Sequence, residues 1–144
     1  MFLDAQNLFS DAQAVTATAA STNLIDLGAA TVDLGVGEPV YFICQIDTTM
    51  ADTGSDSTIT VTLEIDTAAA FGSATVAQTI GTFAALAAAG TRLVALVQPE
   101  AVVEQFLRVN YTTANGNLSA GAFTAFLTKD IHAYQAYPDN VTIS

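Results

Sequence analysis

The chain has 144 residues, enough for one domain whose core needs neither disulfides nor a metal to stand. Three Lys and Arg against fourteen Asp and Glu give a net charge of −11, which excludes the cationic surface that nucleic acid or an acidic bilayer requires. Charged residues make up only 12% of the chain, about half the usual share, so Thr, Ala, Ser, Asn and Gln must cover much of the exterior. Such a surface costs little to desolvate and favours protein–protein contacts.

The chain opens Met1-Phe2-Leu3-Asp4-Ala5-Gln6, with no basic residue and no long apolar run, so no signal peptide is expected. Residues 1–35 are rich in Ala, Thr, Asp and Gly and read as an N-terminal arm with first strands packed on the domain, near 14–19 and 23–26. Glu38-Pro39 leads into a strand over 40–48, whose run Val40-Tyr41-Phe42-Ile43-Cys44 holds the single cysteine. One Cys permits no internal disulfide, and Cys44 reads as a small buried hydrophobe at ease in a reducing cytoplasm.

Asp52-Thr53-Gly54-Ser55-Asp56 is a loop by composition, and strict alternation follows over 57–66. Ile59, Val61, Leu63 and Ile65 point to a core; Thr58, Thr60, Thr62 and Glu64 point away. Strands are expected at 75–83 and 91–97, separated by the Ala-rich 84–89, which Gly90 limits to one helical turn or a compact loop. Pro99-Glu100 marks a strand exit. Residues 106–113 form a strand with Leu107, Val109 and Tyr111 inward, and 118–128 form another with Phe123, Ala125 and Leu127 inward. Between them Asn115-Gly116 favours a tight hairpin.

Together these elements predict an all-β, jelly-roll-like β-sandwich of about eight strands with extended N- and C-terminal arms. The organisation is a single domain: 1–35 arm and first strands, 36–130 sandwich core, 131–144 C-terminal tail. The arms suit lacing onto neighbouring subunits, and equally suit ends docked on their own surface. No stretch approaches the roughly 20 apolar residues of a membrane span.

The inventory for chemistry is poor. His132 is the only histidine, so a cupin-type metal site lacks ligands, and Cys44 with His132 makes a weak Cys–His pair. Asp47, Asp52 and Asp56 could offer oxygens to a cation, though their spacing matches no EF-hand. Glu100 and Glu104 could share one face of a helical turn, but a glycosidase pair wants a cleft of sugar-stacking aromatics and the chain has no Trp. We therefore expect no enzyme, with no catalytic, cofactor-binding or metal-binding residues and no cofactor.

Several segments carry a resemblance. Leu8-Phe9-Ser10-Asp11-Ala12-Gln13-Ala14-Val15, Ser21-Thr22-Asn23-Leu24-Ile25-Asp26-Leu27-Gly28, Glu38-Pro39-Val40-Tyr41-Phe42, Gly90-Thr91-Arg92-Leu93 and Phe106-Leu107-Arg108-Val109-Asn110-Tyr111 resemble the small capsid cement (decoration) proteins of tailed bacteriophages. The resemblance implies a jelly roll made in the host bacterial cytoplasm that oligomerises on the outer surface of the virion's capsid and bridges major coat subunits. It carries no catalytic residue.

The partners expected on this reading are the major capsid protein and the chain itself, as a homodimer by preference and a trimer next, with no nucleic acid and no membrane. Position along the chain nominates Phe2, Leu3, Leu8, Phe9, Val15, Leu24, Tyr134, Tyr137 and Val141 as coat or oligomer contacts. The alternatives are another β-rich virion module (tail, baseplate or head fibre) or a small-ligand or carbohydrate-binding jelly roll, the latter disfavoured by the absence of Trp.

Overall fold

The alternation of residues 57–66 becomes a strand with Ile59, Val61 and Leu63 fully buried and Ile65 nearly so. It is one of nine strands in the computed structural model, which describes residues 5–28 and 38–129. They are β1 (Leu8–Ala14), β2 (Ala19–Ala20), β3 (Ile25–Asp26), β4 (Tyr41–Ala51), β5 (Thr58–Asp66), β6 (Thr75–Phe83), β7 (Arg92–Leu96), β8 (Phe106–Ala114) and β9 (Ala120–Thr128). Two 3-10 turns, Ala5–Asn7 and Pro99–Ala101, complete the described elements.

Pairing is antiparallel throughout and nested: β1 with β9, β2 and β3 with β8, β4 with β7, β5 with β6. Rolled up, this long hairpin gives one sheet in the order β1-β9-β4-β7 and another in the order β2-β8-β5-β6, with β3 also on β8. That is a jelly-roll sandwich, as the sequence predicts. Within residues 5–28 the strands are β1 to β3, and they belong to the two sheets themselves. The proposed tail, 131–144, and the segment 29–37 lie outside the described residues.

Facing side chains fill the space between the sheets. Phe42, Cys44, Ile46, Phe123 and Ala125 from one sheet meet Ile59, Val61, Leu63, Leu107, Val109 and Tyr111 from the other, and all of these are fully buried. Phe123 stacks at a tilt against both Phe83 and Tyr111, with centroids 5.6 and 5.4 Å apart. β9 is buried on both faces along residues 121–127, so Ala122, Thr124 and Phe126 are covered as well as the inward set Phe123, Ala125 and Leu127.

Two expectations need correction. The strand expected over 14–19 is the crossing between sheets, and β1 starts earlier, at Leu8. Register shifts at Leu8/Ser10 and Ser10/Gln13 break its alternation, so Phe9 and Ser10 are both buried despite being neighbours. Asn115-Gly116 is a turn but makes no hairpin ladder, because β8 and β9 belong to different sheets. Both residues have positive φ, 63° and 119°, the conformation Asn and Gly tolerate best, and the turn sends the chain across the sandwich. The Ala-rich stretch 84–89 is a compact loop, held by Ala87 N–H donating to Ala84 O and by Met50 N–H donating to Ala87 O.

Glutamines close the two open sides. On the β1/β2 side, Gln13 Oε1 accepts from Ser10 Oγ and Thr22 N–H while its Nε2 donates to Ala20 O. On the β6/β7 side, Gln78 Nε2 donates to Leu96 O and its Oε1 accepts from Gln98 N–H.

Candidate functional site

The polar groups of the interior are spent on holding the fold. Tyr111 OH donates to Ser10 Oγ at 2.9 Å, linking β8 to β1 across the core, and Ser10 Oγ passes its own proton on to Gln13 Oε1 at 2.8 Å. Burial raises the Tyr111 phenol well above its ordinary range, and burial first, then the Asp47 charge, does the same to the Cys44 thiol. Cys44 is a free, fully buried cysteine, so it lacks both the exposure and the thiolate character of a nucleophile.

Several carboxylates are occupied too. Asp52 accepts from the backbone N–H groups of Ser55, Asp56 and Ser57, and these bonds with the Ser57 hydroxyl hold its carboxyl below the usual range. Asp66 accepts from Ser73 N–H at 2.8 Å and Ala68 N–H at 3.1 Å, and is lowered in the same way. Asp47 accepts from Thr124 Oγ1 at 2.5 Å. The loop that could offer oxygens to a cation therefore spends Asp52 on its own backbone. Among the described residues no cluster of His, Cys, Asp or Glu is arranged to hold a metal.

Glu100 sits in the 3-10 turn, which ends at Ala101, so Glu104 does not share a helical face with it. Glu104 instead borders a small cleft with Asp66, Thr67 and Ser73. The arginines are tied down as well. Arg108 lies 2.8 Å from Glu64 and 4.3 Å over the ring of Phe71, and Arg92 Nε donates to Gln45 Oε1.

Of the nominated contact residues, Phe9 and Val15 are core: Phe9 packs 6.0 Å from Phe42, and neither reaches the surface. They cannot touch a partner without unpacking the sandwich, which corrects their nomination. Leu8 is half-buried on the outer side of β1, and Leu24 is exposed. Leu24 borders an open groove of about 870 Å³ between the Ala5–Asn7 turn and residues 22–27. Phe2, Leu3, Tyr134, Tyr137 and Val141, with His132, lie outside the described residues.

The two outer faces differ. On the β5/β8 sheet, Thr60 pairs with Thr112 and Thr82, and Thr62 with Asn110 and Thr79, a threonine-rich polar surface. On the other sheet a single apolar rung, Leu8–Phe126–Ile43–Val94, runs across all four strands, with Tyr41 and Leu96 beside it. Val94 and Leu96 are 47% and 52% exposed, and with Val76 and Leu86 they place on the β6/β7 side four of the six exposed large hydrophobics found among the described residues. Sequence reading misses this side because residues 93–97 are apolar on both faces, and alternation cannot tell the core-facing set from the exposed one. The useful signal is charge: from Thr67 to Pro99 the only charged residue is Arg92.

A family model named Bbp16 matches residues 9–127, which covers β1 to β9 almost end to end. The chain belongs to the Bbp16 family. That family is phage-associated, in agreement with the phage character of the resemblance. No curated protein matches the chain. Among the described residues of this Bbp16 member, no helix is long and apolar enough to cross a membrane.

Proposed function

We propose that the chain is a non-enzymatic structural protein of the virion, which binds the outer surface of a phage capsid and cements neighbouring major coat subunits. The observation that carries this reading is the placement of exposed apolar surface on opposite sides of the sandwich. Leu24 and its groove lie at the β1/β3 side, while Val76, Leu86, Val94 and Leu96 lie at the β6/β7 side. A cement must hold at least two subunits at once, and a rigid sandwich with adhesive surfaces at both ends has the geometry for it. Membership of a phage-associated family supports the same reading.

The mechanism is mechanical. A protein that binds the assembled lattice better than free coat protein opposes disassembly by linkage, and symmetry repeats each modest contact over the shell. An outer position suits a chain of net charge −11, which packaged DNA would repel. The same charge calls for basic coat patches beneath it, so attachment should weaken as salt rises; attachment that strengthens steadily with salt removes that part of the account. Counting copies in purified virions separates this reading from a tail, baseplate or head-fibre component. Copies on the order of hundreds fit a shell protein built on icosahedral symmetry, and a dozen or so fit a tail.

A further inference from the structure

Two apolar residues on the outer face of the β1-β9-β4-β7 sheet are hidden from solvent without belonging to the core. Phe42, Cys44 and Ile46 of β4 and Phe123, Ala125 and Leu127 of β9 point inward, so Ile43 and Phe126, which pair with each other, point out. They are nevertheless 2% and 3% exposed, and neither joins the core cluster.

An antiparallel sheet can leave its outer face to water, and the other sheet of this sandwich does so. There Thr60 and Thr62, on the central strand β5, stay half-buried, while Thr82 and Thr112 beside them are exposed. Ile43 and Phe126 are larger and stand farther from the backbone, so an open face would leave them more exposed, not less. Their neighbours in the sheet do not roof them: Val94, at the end of the same rung, is 47% exposed, and Tyr41 and Gln45, to either side of Ile43 on β4, are only half-buried. Arg92, Phe126 and Thr128, all on this face, each make a further interaction besides those described above. The cover must come from elsewhere in the chain.

We propose that this face is a docking site for the chain's own residues 130–144, which lie across Ile43 and Phe126 in the same molecule. β9 ends at Thr128, whose side chain stands on the same face two residues after Phe126, so the chain leaves the sheet beside the pair that needs covering. An extended stretch of that length reaches about 50 Å, and four strands are about 15 Å across, so it can cross the whole face. It brings Ile131, Tyr134, Tyr137, Val141 and Ile143 for the apolar rung, and two carboxylates, Asp130 and Asp139, opposite in sign to Arg92. Whether or not the chain cements a capsid, this seat turns Tyr134, Tyr137 and Val141 from partner contacts into a cover for their own sheet.

The test uses the full chain, which has no Trp, so Tyr134→Trp gives a single fluorescent reporter. A contact-quenching nitroxide is attached at Val94→Cys, at the exposed end of the rung, or at Thr112→Cys on the opposite sheet as a control. Cys44 is fully buried and takes no label. The emission should lie to the blue of its position in urea, lose most of its intensity with the label at Val94→Cys, and keep it with the label at Thr112→Cys. On the unmodified chain, chymotrypsin should cut after Tyr134 far more slowly than it cuts a synthetic peptide of residues 130–144.

An emission unchanged between buffer and urea overturns the proposal, as does equal quenching from the two label sites. So does quenching that appears only when labelled Val94→Cys chains are mixed with unlabelled Tyr134→Trp chains, which seats the segment on a second copy. If Tyr134→Trp does not fold, the unmodified chain still decides: cleavage after Tyr134 at the rate of the free peptide overturns the proposal, and protection supports it.

Discussion

Tyr111 on β8 and Ser10 on β1 meet in the core, phenol to hydroxyl at 2.9 Å, and this bond ties the two sheets together through two fully buried residues. The two partners are not equivalent. Removing the phenol oxygen in Tyr111→Phe leaves Ser10 Oγ still donating to Gln13, so about 1 kcal/mol should be lost. Ser10→Ala leaves the Tyr111 hydroxyl buried with its acceptor gone, which should cost about 2 kcal/mol or more. Urea unfolding of both variants checks the order; a Tyr111→Phe that loses more than Ser10→Ala contradicts it.

Alkaline pH should loosen the fold through the same region. Burial keeps the Tyr111 phenol and the Cys44 thiol protonated above their ordinary values of 10.0 and 9.0. Once unfolded, both groups release protons that the folded chain retains. Their contribution is therefore full below about pH 9 and is lost as pH rises beyond that. Denaturant midpoints from pH 7 to 11 should fall over the last two units, and Tyr111→Phe should flatten part of the fall above pH 10.

The Arg108–Glu64 pair lies on the outer face of β8 and β5, with Glu64 mostly buried and Arg108 stacked on Phe71. Arg108→Ala leaves a carboxylate poorly solvated and removes the cover of an aromatic ring. A loss of about 1–3 kcal/mol in urea unfolding is expected. Replacing both partners in Arg108→Met with Glu64→Gln should recover part of it.

The turn after β4 depends on Asp52. Asp52→Ala frees three backbone donors and should lower the thermal midpoint. Because the carboxylate is already occupied by those donors, calcium should leave the wild-type midpoint unchanged. A rise in midpoint that saturates with calcium, and is absent from Asp52→Ala, would restore a cation site to this loop.

How much was legible follows from where alternation survives. Ile59, Val61, Leu63, Leu107, Val109, Tyr111, Phe123, Ala125 and Leu127 were readable as inward because their strands have one polar face or a regular register. β1 was not, because its bulges set Phe9 and Ser10 both inside and shift the register that a period of two assumes. The route of the chain at Asn115-Gly116 was not either, since a local turn signal does not say which sheet the next strand joins. Position along the chain nominates Leu24, which is exposed, but also Phe9 and Val15, which the core claims. The exposed side chain of Val94 needed the ladder itself, because only the pairing shows which face of β7 turns outward.

The measurement that bears most directly on the whole account is co-sedimentation of the purified chain with cement-free phage heads. The account predicts saturable binding, on the order of hundreds of copies per head, with the occupied heads surviving higher temperatures than bare ones. Heads that sediment without the chain at any ratio, or that carry it with no gain in heat resistance, would contradict it.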